Sequence, residues 1–293
     1  MPARSPDSPS PAARRAFVSL LAGACLLPAL LVAASARPEP KYVGGSKPDQ
    51  TEGRTALDDF RHEGVAGDYW LKFELRVMPH HGDERTLVGE LWGNRSADGP
   101  VTRLRVDTPT GTDLWLLRAG PSASAWKTGA DGKPQRVGDG DLLKPIEGTN
   151  LNLFDLQMPF LYWNDFAYEG LANIRGRPAY RLILYPPADF AAANPGVAAV
   201  RVALDTQFHA LVQASILGAD GGEKKTITVL DLKRIGDQWM VKAIDLRDMD
   251  TRDKTRFSVT EGALSLALPP EIFTPDGFSG TDPMPVSGKI ERF

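Results

Sequence analysis

The sequence contains one cysteine, Cys25, and this residue lies in an N-terminal stretch that we expect to be removed. Without that stretch the chain has no thiol, so it forms no disulfide, ligates no metal through sulfur and has no cysteine nucleophile. Histidine is also scarce, with four residues in the whole chain. The two shortages exclude thiol chemistry and leave few side chains for a metal site.

The common signatures of catalysis and cofactor binding are also missing, with no G-x-S-x-G, H-E-x-x-H, phosphate-binding loop or G-x-G-x-x-G. His80 and His81 precede Asp83, but adjacent residues of a strand point to opposite faces, so we interpret them as an exposed turn. His209 follows Asp205 in another polar turn. We therefore predict a protein that is not an enzyme and holds no metal or cofactor.

Charge is nearly balanced, with a formal net charge of -3 at pH 7. Lysine and arginine occur in runs no longer than two, so we expect no surface that binds nucleic acid. The shares of hydrophobic residues (42%) and charged residues (24%) are ordinary for a soluble globular protein. The composition therefore predicts a folded domain with a substantial core.

Residues 1–36 have the organisation of a signal peptide. Arg14 and Arg15 precede an apolar run over 16–34, and Ala36 completes the small-x-small pattern that a signal peptidase accepts. We expect export through the inner membrane and cleavage after Ala36.

Two alternatives remain for this segment. If it is not cleaved, it would act as a membrane anchor, because the apolar run is almost long enough to span a bilayer. Lipidation at Cys25 is the second alternative, although Ala22 stands where a lipoprotein signal has leucine. No other segment approaches the length of a membrane span, so we predict none in the mature chain.

Composition divides the remaining chain into three parts. Residues 37–54 are rich in Pro, Gly, Lys and Asp and predict a flexible leader. We expect a single domain over 55–278, beginning with a short helix at Thr55–Arg61. The Gly/Pro/Ser-rich residues 279–293 predict a loose C-terminal tail.

The strongest strand signal of the N-terminal half lies at Tyr69–Met78, where apolar and charged residues alternate. The same alternation at Val101–Val106 places Arg103 and Arg105 on the outward face. A period of two indicates a sheet with one buried face and one solvated face.

Lys224–Pro275 contains three extended runs, separated by turns at Ile235–Gln238 and Met249–Asp253. Such runs, bounded by Gly and Asp, are typical of an antiparallel meander. In the third run, Thr255, Phe257 and Val259 share one face. With the other runs, the sequence predicts ten or eleven strands in hairpin order.

Asn150–Leu171 is the most apolar and aromatic stretch after the signal peptide. Asn152 is positioned to cap a short helix that Pro159 would end. A second helical turn is expected from Asp165 to Leu171. The apolar surroundings of Trp239 place that side chain in the predicted core.

A long sheet with one apolar face must be covered, and this aromatic stretch is the best cover. We therefore predict a mainly β fold, an open and strongly curved antiparallel sheet (an incomplete β-barrel) covered by a few short helices. The aromatic stretch has two interpretations. Its side chains either pack as ordinary core, or they form the wall of a cavity for an apolar ligand.

Under the second interpretation, the apolar face of the Tyr69–Met78 strand and the covering stretch line one hollow. The predicted wall residues are Leu71, Phe73, Leu75, Val77, Leu153, Phe154, Leu156, Met158, Phe160, Leu161, Trp163, Phe166 and Tyr168.

Two parts of the chain carry a resemblance to a known family. The meander closes on Leu268-Pro269 followed by Phe273-Thr274-Pro275, and Trp163–Leu171 reads WNDFAYEGL. Both resemble segments of the outer-membrane lipoprotein-sorting (LolA-like) family of bacterial periplasmic proteins, and the likeness extends over about 66–275. Asn164 and Gly170 depart from the serine and aspartate that are usual in the family.

Members of this family fold as an incomplete β-barrel over short helices, and the best known carry lipid-modified proteins across the periplasm. The resemblance implies a periplasmic carrier that binds lipid or lipoprotein acyl chains in an apolar hollow during outer-membrane lipoprotein sorting. The alternative is an envelope sensor or adaptor of the same fold, which binds a protein partner without transporting lipid. An envelope hydrolase with unidentified carboxylates is a third hypothesis.

Overall fold

The computed structural model describes residues 37–96, 99–208, 210–284 and 289–293. The predicted signal peptide, with Cys25, and His209 lie outside these ranges, so the predictions made for them are not tested. Within the described ranges, no helix has the length and apolar character needed to cross a membrane.

The described ranges contain fourteen strands and three α-helices. The helices are α1 (Gln50–His62), α2 (Leu153–Gln157) and α3 (Ala188–Ala193), and 3-10 turns lie at Asp139–Asp141, Pro159–Tyr162 and Pro270–Phe273. The first seven strands are β1 (Asp68–Met78), β2 (Arg85–Ser96), β3 (Gly99–Thr108), β4 (Gly111–Arg118), β5 (Ser124–Thr128), β6 (Pro134–Arg136) and β7 (Asp165–Ile174). The other seven are β8 (Arg177–Tyr185), β9 (Ala199–Asp205), β10 (Leu211–Leu217), β11 (Glu223–Ile235), β12 (Gln238–Asp248), β13 (Lys254–Leu266) and β14 (Glu291–Arg292).

All the strands belong to one antiparallel sheet in the order β6-β5-β4-β3-β2-β1-β13-β12-β11-β10-β9-β8-β7, and β14 pairs with β13. The pairing of β1 with β13 joins the two halves of the chain. The edge strands β6 and β7 are consecutive in sequence and are not paired with each other. Residues 137–164 therefore connect one edge of the open sheet to the other. The predicted open antiparallel sheet with short helices is confirmed.

The C-terminal meander has the predicted form. β11, β12 and β13 occupy the three extended runs, and Gly236, with φ of +59°, makes the first turn in a conformation that favours glycine. Thr255, Phe257 and Val259 are all buried, as the alternation predicts.

The sequence predicts ten or eleven strands, which is three or four fewer than the fourteen observed. It assigns no strand to β5, β14 or β7. β5 has five residues and β14 has two, too short for a detectable period. The third is β7, where the expected helical turn from Asp165 is wrong. A β-bulge between Tyr168 and Gly170 shifts the register, so the apolar spacing imitates that of a helix.

Helix α1 begins at Gln50 rather than at the predicted Thr55. Asp49 caps it, because its carboxylate accepts a hydrogen bond from the backbone N–H of Thr51 at 2.9 Å. The residues between 50 and 54 are polar, and for that reason they were assigned to the leader. On the apolar side, Leu57 is fully buried in the main core.

Residues 37–43, within the predicted leader, contact the outer face of the sheet. Arg37 forms an ion pair with Asp165 at 2.7 Å. The backbone N–H groups of Lys41 and Val43 donate to the side chain and the backbone carbonyl of Glu169, each at 2.7 Å. Glu169 is fully buried and also pairs with Arg201 at 2.8 Å. The segment is therefore attached to β7, and its flexibility in solution stays a prediction.

A second, smaller core lies on the outer face of β1 to β4. Trp70 and Trp92 pack there against Phe273 and Phe278. Arg103, predicted to point to solvent, is fully buried in this layer. The expectation was wrong because the C-terminal segment, which no local pattern places, covers that face.

Arg103 ties the predicted tail to the sheet. Its guanidinium lies 4.5 Å from the ring centre of Trp92, donates to the backbone carbonyls of Phe278 and Gly280 and pairs with Asp282. The described part of the tail therefore has specific partners on β2 and β3, and its looseness in solution stays a prediction.

Candidate functional site

The predicted wall residues come together in the structure, and whether they enclose a hollow stays a prediction. Most of them belong to one continuous core cluster, which includes Leu57, Val259 and Leu246 from other elements. Leu156, Met158 and Phe166 are partly buried against that cluster. The buried wall residues are Leu71, Phe73, Leu75, Val77, Leu153, Phe154, Phe160, Leu161, Trp163 and Tyr168.

An aromatic group from α2, the turn after it and α3 fills the space beneath the sheet. The ring centre of Phe154 lies 5.4 Å from those of Phe160 and Phe190. Trp163 lies 5.4 Å from Phe190 and 6.4 Å from Phe160. Rings at such distances are in contact. The aromatic rings of the covering stretch therefore pack against one another and against Phe190 of α3.

A cleft of about 910 Å³ lies at the seam between the two edges of the sheet. Arg136 of β6 and Asn164, which directly precedes β7, both line it. The remaining walls come from the end of β2, the start of β3, the β4–β5 turn, the end of α1, the segment after α2 and the start of α3. The cleft exists because the sheet does not close.

The floor of the cleft is apolar and belongs to the main core. Ala125, Val137, Leu142, Trp163 and Phe190 are buried members of that core that also line the cleft. Trp163 is the predicted wall residue that lies in this lining. Four prolines extend the apolar surface, and they are Pro100, Pro121, Pro159 and Pro187.

Three arginines stand on the rim, and two of them hold the walls together. Arg61 of α1 donates to the backbone carbonyls of Leu161 and Trp163 at 2.7 and 3.4 Å. Arg95 donates to backbone carbonyls at the end of α1, including that of Arg61 at 2.9 Å. Arg136 is exposed. The lining therefore carries both signs of charge, with Asp139 and Asp189 beside the arginines.

Helix α2 supplies the buried polar residue of the cleft, Gln157. The helix is fixed at its start by a reciprocal capping box between Asn152 and Asp155. Asp155 is buried and pairs with Lys225 of β11, and burial raises the pKa of this carboxyl although Lys225 opposes the change. Met158, in the left-handed conformation at φ +47°, ends the helix.

The histidine turn shows no arrangement suited to a metal. The rings of His80 and His81 lie 4.3 Å apart and both residues are exposed. Within the described ranges, no group of three or more histidine, cysteine, aspartate or glutamate side chains is arranged to hold a metal ion.

An exposed aromatic pair marks a second, smaller groove of about 290 Å³ at the ends of β9 to β12. Phe208 and Trp239 are 42% and 52% exposed, with ring centres 6.1 Å apart. The prediction that Trp239 lies in the core is wrong, because it follows a turn at the end of the sheet and its side chain points to solvent. Arg177 lies 5.9 Å from the Phe208 ring.

Sequence reasoning missed the cleft, because its lining comes from separate parts of the chain. Gln157 lies inside the predicted covering stretch, but it is one polar residue among many and has no motif around it. Arg136 and Phe190 lie more than 50 residues apart, and only the meeting of the two sheet edges brings them to one space.

Comparison with known proteins gives one family match. A family model, described only as "-like: Uncharacterized protein", matches residues 129–279, which is just over half of the chain. The matched region begins before β6 and includes the covering segment and the C-terminal meander. No curated protein matches the sequence.

Several solved structures have the same fold. A DUF1329 family protein from Desulfovibrio piger superposes with a TM-score of 0.67 at 13% identity, over 78% of this chain and 98% of its own. A domain assigned provisionally to outer membrane lipoprotein sorting, from Vibrio parahaemolyticus, has a TM-score of 0.65 at 16% identity, over 76% and 94%. A LolA superfamily protein from Nitrosomonas europaea has a TM-score of 0.58 at 14% identity, over 75% and 96%. The fold predicted from the resemblance is therefore confirmed.

Proposed function

We propose that this chain, which belongs to the uncharacterized protein family matched over residues 129–279, is a lipid-binding carrier of the periplasm. It holds the acyl chain of a lipid or lipoprotein in the cleft between the two edges of its sheet. It acts without catalysis and takes part in outer-membrane lipoprotein sorting. The signal peptide predicted at 1–36 and the shared LolA-like fold support this location and task.

The observation that carries the proposal is the cleft itself. Its volume of about 910 Å³ is near the upper end of the roughly 300–1,000 Å³ typical of ligand pockets. Burying an acyl chain on its floor contributes about 0.8 kcal/mol per CH₂ group. An apolar surface of this size therefore binds a chain without specific polar contacts.

The rim favours a ligand with a polar head. Arg136 is exposed at the mouth, where its guanidinium is available to a carboxylate or phosphate. The floor and the rim together match an amphipathic molecule, with its chain on Val137 and Phe190 and its head towards the arginine. The predicted wall residues form the layer beneath the acyl chain. Trp163 belongs both to that layer and to the lining of the cleft.

The test blocks the cleft from its edge, because a charge at a fully buried position such as Phe160 would damage the fold itself. Ala123 lines the cleft from the β4–β5 turn and is partly exposed. We expect Ala123→Trp to weaken binding of a fluorescent C12 acyl probe by at least about tenfold, while Val88→Trp, at an exposed position on β2, has no effect.

Native mass spectrometry of protein purified from cell envelopes provides the second readout. Lipid should accompany the wild-type protein and Val88→Trp, and should be lost from Ala123→Trp. Wild-type protein that carries no lipid and does not bind the acyl probe would refute the proposal.

The exposed aromatic pair favours a second candidate function, an envelope adaptor that binds a protein partner. Phe208 and Trp239 offer two adjacent apolar rings, and Arg175 and Arg177 line the same groove. Asp205 and Asp231 also line this groove, so the two rings suit a peptide segment that presents an apolar side chain. A photo-crosslinker at position 239 should then yield one discrete product in cells, and the same crosslinker at Val88 should yield none.

A further inference from the structure

Gln157 is the last residue of α2 and lines the cleft, yet it is only 3% exposed. Its side-chain amide nitrogen donates two hydrogen bonds, to the backbone carbonyl of Arg118 at 2.8 Å and to that of Ser124 at 3.0 Å. Both N–H groups of the amide are therefore hydrogen-bonded to backbone carbonyls, one at the end of β4 and one at the start of β5.

These two bonds determine which way the amide faces. Rotating the amide by half a turn would place its oxygen against two carbonyl oxygens, which cannot donate. The oxygen Oε1 must therefore lie on the other side of the amide. It is buried, and no donor among the described residues reaches it.

A buried carbonyl oxygen without a donor is unfavourable, and native proteins rarely leave one unpaired. The amide cannot turn away, because α2 is held at its start by the capping box of Asn152 and Asp155. Its end is defined by Met158 and by the buried Pro159. Gln157 thus carries an unpaired acceptor and is held in place as one of the residues that line the cleft.

We propose that Gln157 Oε1 accepts a hydrogen bond from the head of the bound acyl chain, so that the cleft selects chains carrying an N–H or O–H donor at that position. This inference rests on the proposed acyl-binding function. An amide-linked acyl chain has such a donor and an ester-linked chain does not. A site that pairs a buried acceptor with a ligand donor discriminates against the analogue without that donor.

The test compares N-dodecanoylglycine with the dodecanoyl ester of glycolic acid, which differ in one N–H replaced by oxygen. Wild-type protein should bind the amide about tenfold more tightly in calorimetric titration, the value expected for one hydrogen bond. The amide proton of ¹⁵N-labelled ligand should move downfield in the NMR spectrum on binding. The pair 3-hydroxydodecanoate and dodecanoate tests a hydroxyl donor in the same way.

Gln157→Met should remove the preference while keeping affinity for the ester, and Gln207→Met, at an exposed glutamine, should keep both. If Gln157→Met does not fold, the inference is still tested by the amide and ester affinities of the wild-type protein and by the NMR shift. Equal affinities of the wild-type protein for the amide and the ester would overturn the inference and leave the carrier function intact. This result is expected if a water molecule donates the hydrogen bond to Oε1. Failure of every probe to bind would refute the carrier function, and the inference with it.

Discussion

The ring of Phe73 in β1 stacks on the ring of Phe257 in β13, with ring centres 4.7 Å apart and an angle of 26° between the planes. The two residues are separated by most of the chain, and they meet because β1 and β13 are neighbours in the sheet. Phe73 also lies over Gly89 of β2, where a Cβ atom would come within 2.4 Å of the ring. Phe73 is therefore packed closely against both neighbouring strands, β13 and β2.

Replacing Phe73 with alanine should lower the free energy of unfolding by about 3–5 kcal/mol, because the ring is fully buried and leaves a cavity. Urea denaturation measures the change. Val88→Ala, on the exposed face of the adjacent strand, should cost less than about 0.5 kcal/mol. A loss below about 1 kcal/mol for Phe73→Ala would mean that the interior is loosely packed.

Gly53→Ala should destabilise the protein, although alanine is the better helix former by roughly 0.5–1 kcal/mol. A Cβ atom on Gly53 would lie 2.3 Å from the Cβ of Tyr168, so α1 would have to move away from β7. We expect a net loss of about 1–3 kcal/mol in thermal or urea unfolding. Asp59→Ala, on the exposed side of the same helix, should be neutral or slightly stabilising. A more stable Gly53→Ala would show that the contact between α1 and β7 is not tight.

Arg103→Met should cost about 3–5 kcal/mol, because it leaves the carbonyls of Phe278 and Gly280 and the carboxylate of Asp282 without their donor. The C-terminal segment should then become sensitive to limited proteolysis near 280–284. Arg105→Met is the matched control, since this neighbour is 28% exposed and its contact with Asp282 is longer, at 3.5 Å. Equal effects of the two substitutions would contradict the role given to the buried guanidinium.

Asp253 in the β12–β13 turn should make stability depend on pH. Its carboxylate accepts the backbone N–H of His80 at 2.7 Å, and this bond, with a smaller contribution from Thr251, holds the pKa of Asp253 below its ordinary 3.8. The stabilisation is present above the unfolded-state pKa and is lost as the pH falls through the lower folded-state pKa.

Asp253→Asn should therefore be less stable than wild type near neutral pH, and the difference should shrink as the pH falls from about 5 to about 2. Denaturation curves at several pH values test this expectation. Asp237→Asn, an exposed aspartate in the preceding turn of the meander, is the comparison variant. A gap between Asp253→Asn and wild type that is constant with pH would contradict the assignment.

Local patterns in the sequence determined the type and position of most elements. The alternation in Tyr69–Met78 and in the meander predicted strands and their buried faces, because the side-chain period of a strand is two wherever one face is covered. Asn152 and Pro159 marked the limits of α2 through capping and ring geometry. These features depend on neighbouring residues, so the chain alone reveals them.

Only the tertiary structure decided where space remains in the molecule. Arg103 alternates like a solvent-facing residue, yet the C-terminal segment covers it. Ten of the thirteen predicted wall residues are buried, yet whether they enclose a hollow depends on rings such as Phe73 and Phe257 from distant strands. The cleft arises where the edges β6 and β7 meet the segment that connects them, and carbonyls of β4 and β5 determine the orientation of Gln157. Such features depend on contacts between remote parts of the chain, which no local period encodes.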